Sequence, residues 1–192
     1  MTTPESAPIA ENDRVIRAPI WLITGVPGAG KTSACADLAS RYVAGVHLET
    51  DLMDEEGVHL VGEMDRPIRR LVFRRGIALL AAEFAMSGVA VVIDDTLESD
   101  EERRAYTDRL RGVRLVHLLP PLEVALARNA GRTNKPEGDA PMLDRTARRL
   151  YPRMRGEHTA SRGWFVLDSS GLDPRATVDA LLDHFERDET PD

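Results

Sequence analysis

The sequence predicts an α/β fold: a doubly wound, five-stranded parallel sheet with helices on both faces. Three observations predict it. Short apolar runs alternate with longer stretches of helical period from Ile20 to the C-terminal region. The runs are apolar at successive positions, which suits strands covered on both sides rather than strands with one face in water. The length, 192 residues, is that of a single domain, and such a chain buries about 70% of its unfolded surface without a disulfide or structural metal.

The elements follow in order. Ile20 to Thr24 reads as a buried first strand that runs into Gly25, with a helix from about Gly30 to Tyr42. Val46 to Leu48 is a second, short strand ending before Thr50 and Asp51. Pro67 to Ser87 is expected as a long helix, with Pro67 near its first turn and Gly88 just past its end. Val89 to Ile93 is apolar and mostly β-branched, the clearest strand, and Asp94 and Asp95 stop it. Ser99 with Glu102 three residues on forms a capping box for the next helix. Val113 to Leu119 is a fourth strand, followed by a helix that includes Glu123 to Asn129. Leu143 to Met154 is helical, Trp164 to Leu167 is the fifth strand, and Pro174 to Glu186 closes the domain. Residues 1–18 read as a loose tail without the basic-then-apolar order of a signal peptide, residues 19–188 as the domain and 189–192 as a second tail.

Composition narrows the function. Hydrophobic residues make up 42% and charged ones 30%, which excludes a wholly disordered or fibrous chain. The net charge of −7 has the wrong sign for a general nucleic-acid coat. Cys35 is the one cysteine, so no intrachain disulfide exists, and it reads as a small buried apolar side chain. No apolar run approaches the roughly 20 residues of a membrane span, and a cytoplasmic location is expected. The basic set is 23 arginines and two lysines, Lys31 and Lys135, so chemistry that needs a lysine has two candidates.

One of them sits in a phosphate loop. Gly25, Val26, Pro27, Gly28, Ala29, Gly30, Lys31 and Thr32 match G-x-x-x-x-G-K-[ST] at every fixed position, between a strand and a helix. At this chain's own frequencies an accidental match has odds of roughly one in a thousand. Loop glycines turn backbone N–H groups toward phosphate oxygens, and the helix that follows adds the positive end of its dipole. Lys31 is expected on the β- and γ-phosphates, Thr32 on Mg²⁺, and Ser33 beside them. Asp94, at the carboxyl end of its strand, has the place of a carboxylate that holds Mg²⁺; Asp95 is the less certain neighbour. Asn134 to Glu137 mimics a guanine-reading N-K-x-D but lacks the preceding strand and ends in Glu, so ATP rather than GTP is expected.

A small kinase then fits best. Asp51 follows the second strand, where a carboxylate can take the proton of an attacking hydroxyl. Arg128 and Arg132 lie four apart and can neutralise a transferred phosphoryl group from a closing lid at about 128–145. Residues 128–155 carry +5, against −12 for the remainder.

These residues resemble the P-loop kinase group that contains polynucleotide 5′-kinases, chloramphenicol phosphotransferases and zeta toxins, over roughly Ile20 to Phe185. The resemblance rests on the phosphate loop, on Asp51, on the run Val91 to Thr96 and on the Arg128–Arg132 spacing. It implies a P-loop NTPase fold with strand order 2-3-1-4-5. It also implies Asp51 as general base, Arg128 and Arg132 as a phosphoryl clamp, and a last loop from Asp168 to Gly171, with Ser169 and Gly171, near adenine. One departure stands out: six acids and no Arg or Lys lie between Asp51 and Asp65, unless Arg66, Arg69 and Arg70 offset them. That favours a neutral or cationic small-molecule hydroxyl, a metabolite or an antibiotic, over a nucleic-acid 5′-hydroxyl. A nucleotide-binding switch or ligand-sequestering protein without phosphotransfer is the reading of another class.

Overall fold

The computed structural model describes residues 18–58, 62–131 and 140–189. Five strands, β1 (Ile20–Thr24), β2 (Gly45–Glu49), β3 (Ala90–Asp94), β4 (Val113–Leu118) and β5 (Phe165–Leu167), form one sheet in the order β2-β3-β1-β4-β5. Every pairing is parallel, with Ile20 opposite Val91 and Val113, and Glu49 opposite Asp94. The expected order and fold class are both present.

Strand alternation divides the core in two. Trp21, Ile23, Val92 and Val116 point to one face, where α1 (Lys31–Ser40), α5 (Leu122–Ala130), α6 (Ala140–Glu157) and α7 (Pro174–Glu189) cover them. Ile20, Leu22, Val91 and Ile93 point to the other, under α3 (Arg66–Met86) and α4 (Asp100–Thr107). At the centre of the first layer Trp21 donates from its indole nitrogen to the Tyr42 hydroxyl at 3.0 Å. It also meets Phe185 of α7 edge to face and carries the Arg114 guanidinium 4.7 Å above its ring.

β1 has β3 on one side and β4 on the other, so the connections after β1 and β3 leave in opposite directions. A crevice opens at the carboxyl ends of these strands, where doubly wound sheets take their ligands.

The differences from the sequence expectations are local. β2 gives way directly to a short helix, α2 (Thr50–Leu52), continued by a wider turn over Met53–Gly57, where the sequence reading ended a strand without placing a helix. Four acids, Asp51, Asp54, Glu55 and Glu56, hid that helical turn, because acidic runs read as solvated loop. The Ser99 cap forms, its hydroxyl accepting the Glu102 N–H at 3.3 Å. Glu102, however, reaches back to the N–H of Glu98 rather than that of Ser99, since its carboxylate is also drawn toward two arginines of α3.

Candidate functional site

The phosphate loop spans the end of β1 and the start of α1. Gly28 takes φ +88°, and a Cβ there would stand 2.1 Å from the Ala125 carbonyl oxygen of α5. Only glycine combines that left-handed backbone with that approach. Gly30, at φ +94°, precedes the first turn of α1, and a Cβ on Gly25 would press on the Leu118 carbonyl at 2.7 Å. Asn129, buried on α5, donates to the Pro27 carbonyl and to Asp144 of α6, both at 3.3 Å. The loop is thus tied to the helices beside it as well as to its own strand.

Lys31 is 9% exposed, with its ammonium 4.0 Å from Asp94 Oδ1. The Thr32 hydroxyl donates to Asp94 Oδ2 at 2.7 Å. Burial works against a charge on Asp94, but the Lys31 ammonium, His47 and the Thr32 hydroxyl outweigh it and hold the carboxyl below its ordinary range. A hydroxyl and an ionised carboxylate on adjacent elements form an all-oxygen donor set that suits Mg²⁺. Asp94 therefore stands where the sequence placed a metal ligand.

Asp95 is turned away from the phosphate loop. Its two oxygens take Arg74 at 2.6 and 3.0 Å and the Tyr106 hydroxyl at 2.7 Å, on the opposite face of the sheet. Successive residues at the tip of β3 point to opposite sides, and only Asp94 meets the phosphate loop.

A cleft beside the loop is lined by Gly28, Ala29, Ser33, Arg128, Ser169 and Leu172. Ser169 is buried and donates through its hydroxyl to the Ala29 carbonyl at 3.0 Å, while Gly171 is exposed in the same loop. Arg128 donates to the carbonyls of Ser169 (2.7 Å), Ser170 (3.2 Å), Leu172 (3.5 Å) and Ala29 (3.5 Å). It therefore ties the phosphate loop to the β5–α7 loop, and its guanidinium forms one wall of the cleft. Arg132, its expected companion, lies outside the described residues, as does the stretch Asn134 to Glu137.

A second cleft opens across β3. The Thr50 hydroxyl donates to the Asp94 carbonyl at 2.9 Å, which fixes the start of α2 to the tip of β3. Asp51, next in sequence and exposed, lines this cleft with Asp54, Arg69, Arg70, Phe73 and Thr96. The arginines here are engaged: Arg69 with Asp54 at 3.4 Å, and Arg70 with Glu98 at 3.2 Å and Glu102 at 3.4 Å. Arg74 beneath them holds Asp95 and Glu102. Glu98 also receives a two-point contact from Arg149 of α6 at 3.0 and 3.2 Å. Hydrogen bonds from Arg149 lead, joined by the charge of Arg70, in bringing the Glu98 carboxyl down to about 2.

Sequence reasoning missed Asn129, Glu98, Arg149 and the pairing of Arg74 and Tyr106 with Asp95. The partners described for them lie 11 to 102 positions away, and no local spacing announces them.

A family described as an AAA domain matches residues 20–155, from the first strand through the phosphate loop and the cleft lined by Asp51 into α6. The chain belongs to this AAA domain family. No curated protein matches it. Among solved structures, the family member resembles a sugar kinase from Janibacter sp. HTCC2649 at 21% identity and TM-score 0.61, covering 88% of this chain and 95% of that one. A shikimate kinase from Acinetobacter baumannii in complex with shikimate aligns at 18% identity and TM-score 0.59, with 91% and 96% covered. The Deinococcus radiodurans tunicamycin resistance protein aligns at 18% identity and TM-score 0.59, with 88% and 96% covered. These likenesses place the AAA domain on the P-loop fold.

Proposed function

We propose that this AAA domain protein transfers the γ-phosphate of ATP to a hydroxyl of a small molecule, with Asp51 as general base. One observation carries the reading. The Thr50–Asp94 hydrogen bond joins the cleft that Asp51 lines to the strand tip that meets the phosphate loop, which supports Asp51 as the base.

In this mechanism the N–H groups of Gly28 and Gly30 and the Lys31 side chain hold the phosphates, while Ser33, Ser169 and Arg128 border the nucleoside. Thr32 and Asp94 would hold Mg²⁺, which supplies charge neutralisation on the phosphates when bound. The Asp51 carboxylate accepts the hydroxyl proton, the hydroxyl oxygen bonds to the γ-phosphorus, and the bond to the β–γ bridging oxygen breaks to leave ADP. Arg132, by the family resemblance, is assigned to the transferred phosphoryl group.

The acceptor is a neutral polyhydroxylated molecule in this reading. Each of Arg69, Arg70 and Arg74 already has a carboxylate partner, so an incoming polyanion would have to displace one at the cost of a broken pair. The sugar kinase and shikimate kinase of like fold support a small acceptor over a polymer.

Asp51→Asn tests the proposal. Transfer to a sugar and cyclitol panel, read by mass spectrometry as the gain of one phosphoryl group, is expected to fall about a hundredfold or more while ATP affinity holds. Unchanged turnover removes Asp51 as the base; ATP binding without any phosphorylated product favours a nucleotide-dependent switch instead.

A further inference from the structure

Beneath the phosphate loop three side chains of a different chemical character converge. Cys35 of α1, His47 of β2 and Asp94 of β3 each offer one donor atom, and the three atoms lie within 4.8 Å of one another. Cys35 is fully buried and Asp94 is 4% exposed. His47 Nε2 is buried, stands 3.8 Å from Asp94 Oδ2, and has no hydrogen-bond partner among the described residues.

Mg²⁺ chemistry explains none of this, because a hard cation takes oxygen donors and gains nothing from a thiol or an imidazole. Sulfur, nitrogen and carboxylate together form the donor set of a softer divalent ion. In a tetrahedral site with metal–ligand bonds of about 2.0 to 2.3 Å, neighbouring donors stand about 3.5 Å apart. A contraction of up to about 1.3 Å brings these three to that spacing.

We propose that Cys35, His47 and Asp94 form a binding site for a thiophilic divalent cation of the zinc class, and that filling it shuts the nucleotide site. On binding, the Cys35 thiol releases its proton to solvent and the thiolate bonds the metal. His47, its own proton on Nδ1, donates the Nε2 lone pair, and Asp94 gives one carboxylate oxygen. A fourth position stays open to water. The Lys31 ammonium, 4.0 Å from Asp94, keeps a counter-charge in the thiolate and carboxylate. Asp94 Oδ2, the oxygen nearest His47, is also the one that accepts from Thr32, so occupancy competes with the arrangement that suits Mg·ATP. The protein then acts as a phosphate loop that free zinc-class metal turns off.

The test uses the full-length, nucleotide-free protein with Co²⁺ as the probe, and so needs no phosphate acceptor. One equivalent of Co²⁺ is expected to produce a thiolate-to-cobalt charge-transfer band. Cys35→Ser is expected to abolish the band, and His47→Gln to weaken Co²⁺ affinity about tenfold or more. Excess Mg·ATP should bleach the band by competing for Asp94. Circular dichroism and thermal unfolding of both variants guard against simple misfolding, and Cys35→Ala supplies a second thiol deletion. Absence of a thiolate band in the wild type, or its persistence in a folded Cys35 variant, overturns the site. A band that Mg·ATP leaves untouched overturns the inhibitory role. Either result is independent of whether Asp51 serves as a base.

Discussion

Arg74 and Asp95 face each other between α3 and the tip of β3 in a two-point ion pair, Nε to Oδ2 at 2.6 Å and Nη2 to Oδ1 at 3.0 Å. Both are at least 95% buried at the side chain. The remaining donors and acceptors are satisfied too: Arg74 reaches Glu102 at 2.8 Å and the Thr96 carbonyl at 3.2 Å, and Tyr106 donates to Asp95. Burial opposes the charge on Arg74, but Asp95 and Glu102 together hold it firmly protonated. This group fixes the floor of the cleft that Asp51 lines.

Removing one partner leaves a buried carboxylate without a cation. Arg74→Met is expected to cost about 3 to 5 kcal/mol in urea unfolding. Tyr106→Phe, which deletes one hydrogen bond and little volume, should cost only about 1 to 2 kcal/mol. Equal losses in the two variants would show that packing rather than charge pairing holds this floor.

Gly28→Ala is a test of the loop itself. A Cβ 2.1 Å from the Ala125 carbonyl must push the loop or α5 aside, and φ +88° adds strain of about 1 kcal/mol. ATP affinity should fall by about tenfold or more, measured by calorimetry, with the far-UV spectrum retained. Wild-type affinity in this variant would mean that the loop does not hold the phosphates in the shape described.

Arg128 makes four carbonyl contacts, and a lysine cannot fork across them. Arg128→Lys is expected to raise KM for ATP several-fold, about 1 kcal/mol in binding, with a smaller change in kcat. A change confined to kcat would instead assign Arg128 to the phosphoryl group in flight, as the lid resemblance implies.

The acid side of the stability profile depends on a buried histidine. His117 on β4 is fully buried, and burial pushes its imidazole from 6.5 down to about 4. Its Nδ1 lies 3.0 Å from the His158 carbonyl, and the His158 imidazole, also lowered chiefly by burial, packs edge-on at 5.3 Å. Below pH 6.5 the unfolded chain binds a proton that native His117 refuses, so stability present above 6.5 is lost as pH falls toward 4. The loss is about 3 kcal/mol for His117. Urea midpoints from pH 7.5 to 4 should fall in the wild type and fall less in His117→Phe.

The fold was legible because its signals are local. β3 could be read from five apolar residues before two acids, and the phosphate loop from six glycine-rich positions ahead of Lys31 and Thr32. Lys31, Thr32 and Asp94 meet as the spacing required, since one residue at each strand end decides what faces the crevice. The second cleft was legible only as an acidic stretch beside the helix that carries Phe73 and Arg74. Which arginine answers which acid is settled by α3 lying over α4, a packing fact that no window of sequence contains. Asp95 shows the same limit, because adjacent carboxylates look alike until the strand assigns them opposite faces.

That assignment at the tip of β3 divides labour within the domain. Asp94 faces the phosphate-loop layer and Asp95 the layer of α3 and α4, so the two clefts meet at a seam one peptide wide. On the proposed reading, exchanging residues of α3 and α4 changes the acceptor while the α1 side is left untouched. A single insertion or deletion within β3 would swap the two carboxylates and disable both layers at once. A library aimed at new acceptors should therefore diversify Arg69, Arg70 and Phe73 by substitution and hold the length of β3 fixed.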